Sequence, residues 1–182
     1  MKPLRPSLPV PEPSVDQVLW RSGCPAGKAG TILRKRASVA VSHLMSSLSL
    51  SWCGAVLFHP SEVPEPFCGI WPGLPVTLMA ATLGKGVDDI VSRSSELNGF
   101  MVDSAASIAV ESYMKRLQRT LADHLGMEPT KRVAPGYGDM PLSLQKEIIA
   151  MFPDSGISCG ESYMLSPVKS MTGVTGWVMP KS

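Results

Sequence analysis

The chain has 182 residues, enough to bury one sizeable core and too few for several domains. It is 44% hydrophobic and 18% charged, with 17 Lys and Arg against 15 Asp and Glu and a net charge of +2. That balance is globular and excludes the basic footprint of a nucleic-acid binder. The most apolar stretch, residues 63–84, contains Glu65 and prolines at 64, 66, 72 and 75, so it cannot cross a bilayer as one helix. Pro-rich sequence follows Lys2 and Arg5 where a secretory signal needs an apolar run, and the expectation is a cytoplasmic protein with no membrane partner. Cys24, Cys53, Cys68 and Cys159 include no C-x-x-C pair and read as free thiols. Cys53, His59 and Cys68 match no established zinc spacing.

Residues 1–13 hold five prolines, which fix φ and remove backbone donors, so they predict an extended arm ahead of a single domain over residues 14–182. Ser14-Val15-Asp16-Gln17 has the form of a capping box opening a short helix that Gly23 ends. Over residues 31–50, Leu33, Ala37, Ala40, Val41, Leu44, Met45 and Leu48 recur at helical spacing. Residues 53–58 and 76–81 are apolar runs of strand length separated by a proline-rich loop. Gly84-Lys85-Gly86 then leads into a helix. The glycines invite a phosphate-binding reading, but Asp89 stands where the third glycine of G-x-G-x-x-G belongs, which favours an ordinary turn.

The longest apolar stripe predicts a helix over residues 101–125, with Val102, Ala105, Ala109, Tyr113, Leu117 and Leu121 inward and Gly126 as its stop. Pro141 suits the first turn of another helix, which carries Leu144, Ile148, Ile149 and Phe152 and ends at Pro153. Two strand-like segments, residues 157–165 and 170–178, predict an antiparallel pair. The fold class expected is α+β: a mostly antiparallel twisted sheet packed by helices.

Two stretches carry a resemblance. Arg132-Val133-Ala134-Pro135-Gly136-Tyr137 resembles the R-x-A-P-G-Y motif of the activation (reactivation) domain of cobalamin-dependent methionine synthase. Residues 160–173, beginning Gly160-Glu161-Ser162-Tyr163, are similar to the T-E-S-F-x-M-x-P-x-x-S-V-S-G segment that follows it in that family. Residues 81–84 and the helix from Asp103 look like the short, stand-alone relatives of the domain. The resemblance implies a module that binds S-adenosylmethionine and presents its methyl group to an oxidised cobalamin. Methyl transfer to the reduced cobalt is strongly favourable and pulls an unfavourable reduction forward. The implied partner is a corrinoid-binding methionine synthase or corrinoid methyltransferase protein that carries the cobalamin, with a reductant protein as a further partner.

The same resemblance implies cofactor-binding roles for Arg132, Ala134, Gly136, Tyr137, Asp103, Glu111 and Glu161, and names no catalytic residue. Read from chemistry alone, Arg132 offers a planar fork of donors to a carboxylate, or is a surface arginine. Gly136 tolerates φ > 0 in a tight bend, and Tyr137 is either a ligand wall or a core tyrosine. Asp103, Ser107 and Glu111 are four apart and share a helix face, where a carboxylate can meet a cationic ligand. Alternatively Asp103 favours the helix start and Glu111 pairs with Lys115. Glu161 either meets the ligand or closes a hydrogen-bond network. Departures from the family include Ser107 in place of a second acidic residue, and Leu142 and Ser143 where longer members have an acidic residue and a histidine. Two other functions fit parts of the pattern: a non-catalytic S-adenosylmethionine-binding adaptor or sensor, and an independent small-molecule methyltransferase. The missing glycine-rich cofactor loop speaks against the latter.

Overall fold

The computed structural model describes residues 4–180; residues 1–3, the first of the proline-rich arm, and 181–182 lie outside that range. In chain order the elements are α1 (Val15–Arg21), α2 (Thr31–Ser46), β1 (Trp52–Phe58), α3 (Glu65–Cys68), β2 (Val76–Thr82), α4 (Lys85–Arg93) and α5 (Glu96–Leu125). They are followed by β3 (Glu128–Pro129), α6 (Leu144–Ala150), β4 (Ser158–Cys159), β5 (Leu165–Ser166) and β6 (Ser170–Val178). The main sheet has the order β1-β2-β6-β3 with every neighbouring pair antiparallel. This is the helix-packed antiparallel architecture that the sequence led us to expect.

Every residue of β2 is buried, so its side chains feed two cores, one on each face of the sheet. On one side Met79 and Ala81 pack with Val18 of α1, Leu44 of α2 and Met114 and Leu117 of α5. On the other, Val76, Leu78 and Ala80 meet Phe67 of α3, Ile148 and Ile149 of α6, and Phe152. Trp177 of β6 is fully buried, and its indole N–H donates to Thr77 Oγ1 at 2.7 Å, which satisfies its one polar atom. Ala105, Ala106 and Ala109 keep the buried face of α5 narrow.

Several local differences from the sequence reading have physical causes. The capping box at Ser14 forms as expected. The second helix stops at Ser46 and continues only as a 3-10 turn over Leu48–Leu50. There Ser46 Oγ and Ser47 Oγ donate to the His43 and Leu44 carbonyls, competing with the helical ladder. Gly84, at φ 84°, lies against Leu50: a Cβ there would meet the Leu50 carbonyl oxygen at 2.9 Å. The glycine loop is thus a turn packed on its own protein.

The expected pairing of residues 157–165 with 170–178 does not form. β6 pairs with β2 and β3, and only Ser158 and Cys159 pair with Ser166 and Leu165 in a separate two-stranded ribbon. The run from Thr172 to Trp177 is buried throughout, so it belongs in the middle of the sheet, and Tyr163 at φ 61° turns the preceding segment back on itself.

Residues 4–13 lie along the domain. Leu4 exchanges two backbone hydrogen bonds with Ala55 of β1, at 2.7 and 2.9 Å. Because prolines have no N–H, the segment offers carbonyls: Leu8 O accepts from Tyr113 Oη at 3.2 Å and Pro9 O from Arg116 Nη1 at 2.7 Å. Beneath it, burial pushes the Cys53 thiol above its ordinary value, partly offset by its hydrogen bond with Tyr113, and burial pushes the Tyr113 hydroxyl up as well.

Candidate functional site

The R-x-A-P-G-Y loop is built onto the sheet. Val133 and Val174 exchange both backbone hydrogen bonds, at 2.9 and 2.7 Å, which extends the β3 edge past β6. Beyond that bridge the chain turns sharply: Tyr137 N donates to Ala134 O at 3.1 Å, and Gly136 N to Met140 O at 2.9 Å. Gly136 has φ 89°, a conformation that side chains with a Cβ rarely adopt. Pro135 and Met140 are buried beneath the loop, so its tip, with Tyr137 72% exposed, is anchored from both sides.

Arg132 points inward from the start of this loop, with only 12% of its side chain exposed. Its Nη2 donates to Glu111 Oε1 at 2.7 Å and its Nη1 to Gln118 Oε1 at 3.3 Å. The aliphatic part lies flat on Gly173 of β6, where a Cβ would meet Arg132 Cδ at 2.7 Å. The seat exists because position 173 has no side chain. Lys115 approaches the same Glu111 oxygen at 3.5 Å from the next turn of α5. Glu111 therefore makes both the expected helix pair with Lys115 and a closer one with Arg132.

Beside this pair is a cleft of about 450 Å³ lined by Glu111, Lys131, Arg132, Ala134, Tyr137 and Met171. A second cleft, about 670 Å³, lies across the loop tip and shares Val133, Tyr137 and Gly138 with the first. A third, about 510 Å³, runs between α1 and α5 from Trp20 to Glu111. Both the first and the second are within the usual range for small-molecule sites. In donor chemistry the first is suited to a zwitterion: two cations and a carboxylate line it together with Val133, Met171 and Tyr137.

Of the residues singled out by sequence, Arg132, Ala134, Tyr137 and Glu111 meet in this cleft, and Gly136 shapes the loop above it. Asp103 lies two helical turns from Glu111, paired with Lys169 Nζ at 2.8 Å, and the same ammonium donates to Ser107 Oγ at 2.9 Å. Glu161 is exposed on the turn before β5 and has no side-chain hydrogen bond or ion pair among the described residues. The sequence reading missed Gln118, Lys169 and the seat at Gly173. Gln118 was within reach, since it is seven residues after Glu111 and so on the same helix face. Gly173 gave the signal of a glycine inside a strand, which marks a close approach.

No protein-family model matches the sequence, and the search of curated proteins finds no match. Among solved structures the chain is similar to a crystal structure of the MetH reactivation domain bound to AdoHcy. The TM-score is 0.65 at 14% identity, over 100% of this chain and 79% of that one. At that identity the likeness establishes a shared fold.

Proposed function

We propose that the chain is an S-adenosylmethionine-binding reactivation module that supports reductive methylation of cob(II)alamin held by a corrinoid-dependent partner. The observation that carries this reading is the Arg132–Glu111 cleft, with its R-x-A-P-G-Y loop, in a fold shared with a MetH reactivation domain bound to AdoHcy. When bound, S-adenosylmethionine supplies an electrophilic methyl group on a sulfonium. The protein's part is to bind and orient. In this reading Arg132 and Lys131 hold the ligand's carboxylate, Glu111 meets its ammonium, Ala134 and Gly136 offer backbone, and Tyr137 walls the cleft. Asp103 acts through Lys169 and Ser107 to fix the neighbouring turn of α5, and Glu161 is a carboxylate on the rim. Cobalamin belongs to the partner, a methionine synthase or corrinoid methyltransferase protein, with a reductant protein supplying the electron.

Two experiments test this. Calorimetric titration with S-adenosylmethionine and S-adenosylhomocysteine should give saturable binding that Arg132→Ala weakens by roughly 1.5–3 kcal/mol, the worth of a hydrogen bond to a charged group. The visible spectrum of cob(II)alamin on a candidate partner, with reductant and S-adenosylmethionine, should convert to that of methylcobalamin only when this chain is added. Binding without such conversion would point to an adaptor or sensor, and no binding at all would end the proposal.

A further inference from the structure

We infer that Gln118 is a positioning residue for the carboxylate-binding arginine, an inference that rests on the proposed function and deepens it. Hydrogen-bond direction sets the orientation of the Gln118 amide. Arg132 only donates, so the Gln118 oxygen must face it, at 3.3 Å. The Gln118 amide nitrogen then faces the opposite way and donates to Thr175 Oγ1 at 3.2 Å. Thr175 is fully buried, and its hydroxyl passes the chain on to Thr130 O at 3.1 Å. Thr130 Oγ1 is itself held by Gly176 N at 2.9 Å.

The result is a one-way chain from the backbone of the β3–β6 edge, through Thr175 and Gln118, to Nη1 of Arg132. The other terminal nitrogen is taken by Glu111. With both terminal nitrogens bonded and the stem laid on Gly173, rotation of the guanidinium plane is restricted. Arg132 also lines the cleft, so the N–H donors not taken by Glu111 or Gln118 remain for a ligand there. A carboxylate entering it meets a fork already oriented, so less rotamer freedom is lost on binding. Glu111 alone would supply charge balance but only one point of attachment, about which the group could swing. Gln118 supplies the second.

The test compares two probes, S-adenosylhomocysteine and 5′-methylthioadenosine, a related nucleoside without the amino-acid end. Gln118→Leu should weaken binding of the first by about fivefold to tenfold, the size of one ordinary hydrogen bond, and leave the second unchanged. In an Arg132→Ala background the same substitution should have no further effect, because the two residues act in series. In the ligand-free protein, the Arg132 Nε–Hε resonance should shift and exchange faster in Gln118→Leu while the thermal midpoint changes little. Equal weakening of both probes, or an undiminished effect in the Arg132→Ala background, would assign Gln118 to packing and overturn the inference. So would an unchanged Arg132 resonance, which reads the positioning without any ligand. Wild-type protein that binds neither probe would overturn the functional reading itself, an outcome told apart by the wild-type titration alone.

Discussion

The two segments that carry the family resemblance, the loop of residues 132–140 and the part of residues 160–173 that precedes β6, are held in different ways. Residues 132–140 are fixed by backbone: a two-bond bridge from Val133 to Val174, a turn closed by Gly136 and Met140, and buried Pro135 and Met140 beneath. Residues 157–169 are held by the short β4–β5 ribbon, by Leu83 N donating to Lys169 O at 3.0 Å, and by side chains reaching across from helices. The Gln145 amide donates to Tyr163 O and accepts from Thr172, Lys146 sits over the Tyr163 ring at 5.1 Å, and Asp88 accepts from Val168 N at 3.0 Å. A loop held by its own main chain tolerates changes in its side chains, so under the proposed function Tyr137 and the remaining N–H groups of Arg132 are available to a ligand. A segment held partly by side chains depends on its neighbours on α4 and α6.

The strongest way to break that comparison is to remove what both segments share. Trp177→Ala empties a fully buried site on β6 and its bond to Thr77, and is expected to cost about 3–5 kcal/mol. Chemical denaturation should show one cooperative transition at much lower midpoint, with protection lost in both segments together.

A substitution confined to the first segment comes next. Gly136→Val forces a β-branched residue into φ 89° and brings its Cβ to 3.2 Å from Leu142 Cδ1, at an expected strain of about 1–3 kcal/mol. Under the proposed function, binding of S-adenosylhomocysteine should be lost while far-ultraviolet circular dichroism stays near wild type. Normal binding by this variant would remove the loop from the site.

The second segment is tested by Gln145→Ala, which deletes both the bond to Tyr163 O and the one from Thr172 and is expected to cost about 1–2 kcal/mol. Amide exchange should rise over residues 160–166 and stay slow over 133–140. Faster exchange in both would mean that the two segments are one unit.

A change remote from both sharpens the contrast by leaving it intact. The Cys53 and Tyr113 groups are held protonated by burial, so the folded state keeps protons that the unfolded chain releases above pH 9.0 and 10.0 respectively. Their stabilising contribution is full below those values and declines as pH rises past them, by at most about 1 kcal/mol for Cys53 at pH 9.5. Cys53→Ala should flatten the first part of that alkaline decline in the thermal midpoint. Smallest of all, Arg5→Ala removes an exposed pair with Asp154 at 2.8 Å and should change stability by no more than about 0.5 kcal/mol.

Much of this architecture was legible from the chain because it is set by near neighbours. The capping box at Ser14, the stop at Gly126, the apolar stripe of α5 and the bend at Pro135-Gly136 depend on contacts within a few residues, and spacing reports those directly. Glu111, on a helix face, and Arg132, in the R-x-A-P-G-Y loop, were likewise visible as chemistry-bearing types. What spacing could not report is which strand takes the centre of the sheet. Residues 157–165 and 170–178 both look extended, but only burial on two faces decides that β6 lies between β2 and β3. That choice places Gly173 beneath Arg132 and Thr175 behind Gln118, turning residues separated by up to 57 positions into one hydrogen-bonded seat. Local sequence determined that an arginine loop would exist, whereas the tertiary packing decided which way its guanidinium faces, because orientation requires partners that only the folded sheet brings within 3.3 Å.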